Sequence, residues 1–406
     1  MEKAEIKYIS SGTVTSPEGF FAGAVYSGIK KKAGSNLDLG ILFSEAPCVT
    51  AGIFTNSKIV SAPVKLCRER IREGKAVAIV VNSGCANAYT GEQGITDAIE
   101  MAALVAKGIG SEPEDVLVAS TGVTGQPLPM EIIRDGISRV ALSRDDGHNL
   151  ARAIMTTDTV PKEAAVTVET GESKFTIGGI AKGSGMIHPD MATMFCFITT
   201  DAAVELNFLK AALKKAADVS FNMISVDGDT SPSDTVLIMA NGLAGNETIT
   251  EGSPLADIFQ QALEQVCIYL AKMLARDGEG ATRLIEVTVT GAGSDIDARK
   301  AAKSVVVSTL VKTAVYGGDP NWGRIIMALG HGGFDVELEK VDLSIGEINV
   351  LKFGTPLSFE EADVISVFKQ SEVPIYIHLN SGSASATAWG CDLSEQYVVI
   401  NSQYMT

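Results

Sequence analysis

The stretch Lys182-Gly183-Ser184-Gly185-Met186-Ile187-His188-Pro189-Asp190-Met191-Ala192-Thr193-Met194-Phe195-Cys196-Phe197 lies near the middle of the chain. It follows Phe175–Ile180, an apolar run of strand length, passes through a glycine-rich turn, and re-enters an apolar run ending at Thr200-Asp201. Strand, turn, strand is the local expectation. One hydroxyl, Thr193, then follows a small residue just before the second strand. Two readings of it stand side by side. In one, Thr193 is a packing residue. In the other, the Ala192–Thr193 bond is cut and the freed α-amine of Thr193 acts as general base for its own Oγ, so no histidine is needed.

Upstream, Phe20–Val25, Leu37–Leu42 and Val49–Phe54 read as short strands separated by glycine turns, and Ala62–Arg72 as a helix. Lys75–Val81 is a continuous apolar run that feeds the loop Gly84–Gly91, where small and amide residues let a ligand approach the backbone. A helix follows over 96–107. Val116–Ser120 is a strand running into Thr121-Gly122. A Thr-Gly turn at a strand end offers a hydroxyl and a backbone N–H to a developing oxyanion, or is an ordinary turn. Ala151–Met155 reads as helical and ends in Thr156-Thr157-Asp158-Thr159-Val160-Pro161-Lys162, a hydroxyl cluster that either binds a carboxylate or caps the helix. Ala164–Val168 and Lys174–Ile180 form a hairpin.

Downstream, a helix lies within Ala203–Val219 and a buried strand over Val236–Met239. Between them, Ser225–Thr235 is acidic, but it lacks the bidentate glutamate of a calcium loop. The clearest helix is Pro254–Arg276, with Ser253 as its cap. It delivers Ala275-Arg276-Asp277-Gly278-Glu279-Gly280-Ala281-Thr282. Leu284–Val289 is a strand, and Asp297–Thr313 a helix or a strand–helix mixture. Gly317–Arg324 breaks the chain, with Trp322 and Arg324 forming either a carboxylate-binding site or a structural corner. Tyr397–Ile400 reads as a last strand.

A chain of 406 residues exceeds one ordinary core, and its mixed order of strands and helices points to α/β or α+β layers. Hydrophobic residues at 46% and charged residues at 20% place it among soluble globular proteins. A net charge of −16 opposes binding to nucleic acid or an anionic membrane, since both require basic patches. No apolar run approaches the ~20 residues of a membrane span, and the N-terminus has no apolar signal core. A cytoplasmic location is expected. The six cysteines form no CxxC and the four histidines are scattered, so no metal site is expected and the thiols should be reduced and buried. His188 reads most simply as a turn residue. No glycine motif for a nucleotide cofactor follows a suitable strand.

Taken together, these stretches resemble the ornithine acetyltransferase family, the glutamate N-acetyltransferases of arginine biosynthesis. The central stretch is similar to that family's cleavage segment, KGxGMI…MAT. Gly28-Ile29-Lys30, Gly52–Asn56 and Ala62-Pro63-Val64 look like its opening. Val81–Gly91 matches VNSGNANAxTG except at Cys85, and Ser225–Asp234 matches SVDGDTSTND except at Pro232-Ser233. Ala275–Thr282 matches ARDGEGAT.

The likeness covers nearly the whole chain. It implies a DmpA/ArgJ-like fold with an N-terminal threonine nucleophile. It implies self-cleavage between Ala192 and Thr193 into intertwined alpha (1–192) and beta (193–406) chains, two of each forming a heterotetramer. The implied reaction moves acetyl from N2-acetyl-L-ornithine to L-glutamate through acetyl-Thr193, with acetyl-CoA open as a further donor and no other cofactor. Carried over residue by residue, Thr121 and Gly122 stabilise the oxyanion. Thr156, Lys182, Glu279, Asn401 and Thr406 bind substrate, with Thr157 as the neighbour to weigh against Thr156. Glu279 holds the α-amino group. One rival is a self-cleaving amidohydrolase or aminopeptidase, in which water replaces glutamate. The other is an uncut binding protein.

Overall fold

The computed structural model describes residues 5–30, 37–171, 173–188 and 194–403. The proposed junction, Ala192 and Thr193, and the terminal Thr406 lie outside them. In chain order the strands are β1 (Glu5–Tyr8), β2 (Phe20–Val25), β3 (Leu39–Phe54), β4 (Lys75–Cys85), β5 (Val116–Val123), β6 (Lys162–Glu169), β7 (Lys174–Lys182), β8 (Phe195–Thr200), β9 (Ile224–Ser225), β10 (Thr235–Ala240), β11 (Leu284–Ala292), β12 (Asp342–Ile345), β13 (Ile348–Lys352), β14 (Thr355–Pro356), β15 (Glu372–His378) and β16 (Ala384–Cys391). The helices are α1 (Ala62–Arg70), α2 (Gly91–Ile109), α3 (Met130–Arg139), α4 (Gly147–Ala153), α5 (Leu206–Asp218), α6 (Ala256–Arg276), α7 (Asp295–Val307), α8 (Thr309–Gly317), α9 (Gly323–Gly330), α10 (Glu361–Phe368) and α11 (Glu395–Gln403).

Two mixed sheets sandwich a helical layer. The first runs β1-β6-β7-β8-β10-β3-β4-β5, with β2 also on β3, and the second runs β14-β13-β12-β15-β11-β16-β9. The first takes strands from both sides of position 193. α6 is rich in Ala, Leu and Gln, all good helix formers. It lies on β6 and β7 and reaches β16, while α7 lies on β11 and β16. Val166, Ile177 and Ile198 of the first sheet, Phe259, Leu263 and Leu270 of α6, and Ile285 and Ile375 of the second sheet share one core. Farther along the same face of the first sheet, α2 packs on β4 and β5 and α3 on α2 and β3, through Ala98, Met101 and Ile133.

The first sheet curls. β8, β10, β3 and β4 lie between β7 and β5, yet Lys182 at the end of β7 donates a hydrogen bond to Thr121 of β5 at 3.1 Å. Phe20, Leu42, Ile79, Leu117, Phe197, Leu237 and Leu150 fill the inside of the curl. β3 makes this bend possible. Its first half pairs with β2 and its second half with β10, while β4 pairs with it from Leu39 to Val49, with a register shift between Phe43 and Cys48. A bulge of this kind bends a strand and increases its twist.

Four local expectations are corrected. The strands expected at Leu37–Leu42 and Val49–Phe54 are one strand, β3, because the bulge leaves both halves paired. Ser253 does not cap α6: Leu255 holds that position, and Ser253 closes a turn by accepting the N–H of Ala256. Asp297–Thr313 is two helices joined at Ser308, whose extended backbone ends α7 and whose Oγ caps α8. Tyr397–Ile400 is helical, within α11. Its β-branched run pairs with none of the described strands, Val398 stays 66% exposed, and Ser394 Oγ accepts the N–H of Gln396 at the helix start. Strand propensity without a pairing partner does not make a strand.

Candidate active site

The site forms where the ends of β4, β5 and β7 meet the start of β8. β4 and β5 run parallel, with Ser83 opposite Thr121 and Gly84 opposite Gly122. Both glycines have positive φ, 106° and 126°. A Cβ on Gly122 would sit 2.4 Å from the carbonyl carbon of Gly84, so the two strand ends approach this closely only as glycines. Cys85, the one departure from the family pattern in this loop, turns its thiol away toward the carbonyl of Gln126 at 3.4 Å.

Thr121 is 5% exposed and Lys182 2%. The Lys182 ammonium donates to Thr121 Oγ1 and lies 5.7 Å from the centre of the Phe195 ring. Because Lys182 occupies a lone pair on Oγ1, the Thr121 hydroxyl proton remains available to a third group. Burial lowers the pKa of Lys182 and nearby Lys162 adds to that, while Asp158, Asp234 and Glu279 oppose it.

Beneath this pair lies a buried ionic network. Lys162 Nζ reaches Asp158 at 2.7 Å and Asp277 at 2.6 Å, and the Lys162 and Asp158 side chains are wholly buried. Asp158 also accepts the N–H groups of Gly183 at 2.6 Å and Thr156 at 2.9 Å. Burial alone would raise the Asp158 carboxyl, but Lys162, Lys182 and these hydrogen bonds hold it at about 2. Asp277 takes the N–H and hydroxyl of Thr159 as well. The hydroxyl cluster is thus tied to both the glycine turn and the end of α6.

Of the two threonines weighed, Thr157 bonds Ser184 through its hydroxyl at 2.6 Å, and Thr156 gives its N–H to Asp158. The backbone N–H of Glu279 donates to the Ser184 carbonyl at 2.8 Å. A Cβ on Gly185 would fall 2.5 Å from the Glu279 carboxyl, so a larger residue there would push that side chain aside. Asn401 on α11 donates to Glu279 Oε2 at 2.7 Å. Residues Thr121, Lys182, Glu279 and Asn401 therefore belong to one connected region, although they are far apart in sequence.

Several participants carry no local signal in the sequence. Asp158, Lys162 and Asp277 were hidden because their pairing joins two distant loops, although Asp158 and Lys162 stand four residues apart. The acidic loop Ser225–Thr235 also takes part. Asp227 accepts the N–H groups of Met186 and Ile187, and Asp234 accepts that of Met194 at 3.1 Å. Lys30 is half-buried beside the site. Burial lowers its pKa to about 8, Asp38 and Asp158 opposing. His188 lies 3.5 Å from Ser225 Oγ and lines a cavity of about 820 Å³ with Lys214, Arg299 and Lys303; Thr121, Lys182 and Glu279 do not line it. All six cysteines are free and buried. Among the described residues, no helix is long and apolar enough to cross a membrane.

A sequence profile of the ArgJ family matches residues 21–406. The chain belongs to the ArgJ family. It is 52% identical over 404 residues to the arginine biosynthesis bifunctional protein ArgJ of Dehalococcoides mccartyi, covering 100% of both chains. It is 51% identical to that of Symbiobacterium thermophilum, covering 98% of this chain and 99% of the relative. The crystal structure of the ArgJ protein from Bacillus halodurans is 47% identical over 52% of this chain and 98% of the solved one, with a TM-score of 0.50.

Proposed function

We propose that the chain is a glutamate N-acetyltransferase. It moves acetyl from N2-acetyl-L-ornithine to L-glutamate through an ester on Thr193. The observation that carries this reading is the buried contact between Lys182 and Thr121 beside the start of β8, in a chain of the ArgJ family. Thr193 Oγ attacks the acetyl carbonyl and its proton passes to the Thr193 α-amine. The Thr121 hydroxyl and the Gly122 N–H receive the negative charge on the carbonyl oxygen. The α-nitrogen of ornithine takes up that proton and leaves. The α-amine of glutamate then attacks the ester and the steps run in reverse.

Cleavage at Ala192–Thr193 produces the α-amine, with 1–192 and 193–406 as the two fragments. The first sheet holds strands from both, which supports their being intertwined. The Bacillus halodurans solved chain matches only 52% of this one, as a single fragment would. Lys182 and a hydroxyl of the Thr156-Thr157 pair meet the substrate near the ester. Glu279, held by Asn401, takes the α-ammonium, and Thr406 closes the site from the chain's end. Acetyl-CoA is a second donor in this reading, the assembly is a heterotetramer, and the location is the cytoplasm.

Mass spectrometry of protein incubated with N2-acetyl-ornithine tests the reading. One acetyl group should appear on the fragment beginning at Thr193 and disappear when glutamate is added. An intact chain that transfers acetyl would overturn it. So would loss of the acetyl group to water at the same rate with and without glutamate.

A further inference from the structure

The cavity of about 820 Å³ has no part in the reaction above. Its volume is in the range of small-molecule sites. Residues of α5, α7 and α9 wall it. α7 buries Ala298, Ala301, Ala302 and Val305 where it packs on β11 and β16. The helix repeat therefore puts Arg299, Lys300 and Lys303 on its other side, with Arg299 and Lys303 one turn apart.

Among the described residues, the lining carries four cations, Lys214, Arg299, Lys300 and Lys303, against one carboxylate, Asp218. That carboxylate is already met by Lys214 at 2.7 Å and by Asn222 Nδ2 at 3.0 Å. Lys300 donates to the Gly333 carbonyl at 3.0 Å, a neutral acceptor that leaves its charge in place. Arg299 is half-buried and makes no hydrogen bond or ion pair among the described residues, although a guanidinium has five N–H donors to place. In a chain of net charge −16, such a concentration of positive charge marks a site for an anion.

The lining also narrows the anion. A guanidinium grips phosphate through two parallel N–H bonds, and a lysine one turn away suits a second phosphate. Met223, Val307 and Ala328 add an apolar wall, which suits a flat organic body. We propose that the cavity binds a nucleoside diphosphate group, its phosphates on Arg299 and Lys303 and its base on the apolar wall. Two ligands carry that group. One is coenzyme A, whose acetyl thioester is the second donor in the reaction proposed above. The other is a free nucleotide acting as an effector. His188 ends the glycine turn that starts at Lys182 and also lines the cavity, which links a ligand there to the proposed active site. The coenzyme A source rests on the proposed reaction, and the nucleotide source does not.

Calorimetric titration of the purified full chain with ADP and with coenzyme A tests the site. Whichever binds, Arg299→Gln and Lys303→Gln together should weaken it by roughly 10–100-fold. Tm and transfer from N2-acetyl-ornithine should not change. A raised KM for acetyl-CoA in this variant identifies the donor as the ligand. ADP binding with unaltered acetyl-CoA kinetics identifies a free nucleotide. Failure of both ligands to bind the wild type overturns the proposal. So does undiminished binding by the folded variant, or displacement of either ligand by glutamate. Should the variant fail to fold, hydrogen exchange of the wild type with ADP and with coenzyme A decides. Protection over α7 and residues 327–332 supports the site, and protection elsewhere overturns it. A wild-type chain that binds ADP there but never forms an acetyl ester would refute the role of Thr193 alone.

Discussion

Two turns of this chain look alike in sequence and behave differently in the fold. Lys182–His188 and Gly317–Arg324 both combine glycines with charged residues at the edge of a regular element. In the second, Arg324 spends its guanidinium on the Leu310 carbonyl at 3.0 Å and on Asp319 at 3.1 Å. All its partners lie within the same helical corner between α8 and α9. In the first, the partners are Thr121, Thr157, Asp158, Asp227 and Glu279, drawn from across the chain. A corner satisfies its polar groups locally. A site gathers buried polar groups from distant strands and leaves some of them free for a ligand.

The sharpest way to break this contrast is at the junction. Thr193→Ala removes the only hydroxyl that can attack the Ala192 carbonyl. The chain should stay whole on a denaturing gel and acetyl transfer should vanish. Thr193→Ser should retain part of both activities. It should be slower, because the lost methyl group helped to fix χ1. A Thr193→Ala chain that still splits there would move the nucleophile elsewhere.

Next in size is the buried network under the turn. Asp158→Ala removes one of the two carboxylates that compensate the buried Lys162 ammonium and should cost about 3–5 kcal/mol of stability, read by denaturant unfolding. The same carboxyl predicts an acid limb. Its folded pKa, about 2, lies below the ordinary carboxylate value. Its stabilisation, about 2 kcal/mol by linkage, is therefore complete above roughly pH 4 and is lost as pH falls toward 2. A wild-type and an Asp158→Ala protein with parallel stability curves over that window would contradict the assignment.

Glu279→Gln comes third. Gln keeps an oxygen for Asn401 but loses the charge for a substrate ammonium. Binding of both amino acids should weaken by about 1–3 kcal/mol, with cleavage and assembly intact. Steady-state KM for donor and acceptor would expose the opposite result. The smallest effect is expected at the corner. Arg324→Ala should lower stability by about 1 kcal/mol and leave KM and kcat alone. A raised KM there would erase the distinction between the two turns.

Much of the layout was legible residue by residue. The buried strands Lys75–Val81, Val116–Ser120 and Val236–Met239 appear where apolar runs placed them, each within a longer or matching strand. The Lys174–Ile180 hairpin and the stripe of α6 also appear as their periodicity required. Such features depend on neighbours a few positions away, so a segment carries them alone. The likeness to a family likewise rests on short motifs, and the family profile agrees over residues 21–406.

Other features had no local signal. The Tyr397–Ile400 run has strand character but is a helix that pairs with none of the described strands. Two strands became one because a bulge in β3 lets each half pair with a different neighbour. Lys182 meets Thr121 only because the sheet curls, and Asp234 faces Met194 only through the register of β8 and β10. Propensity and pattern are properties of a window. Register, curvature and the pairing of buried charges are set by long-range contacts whose desolvation costs outweigh local preferences. Residue identities were enough to name the chemistry, and packing chose which of those residues stand together.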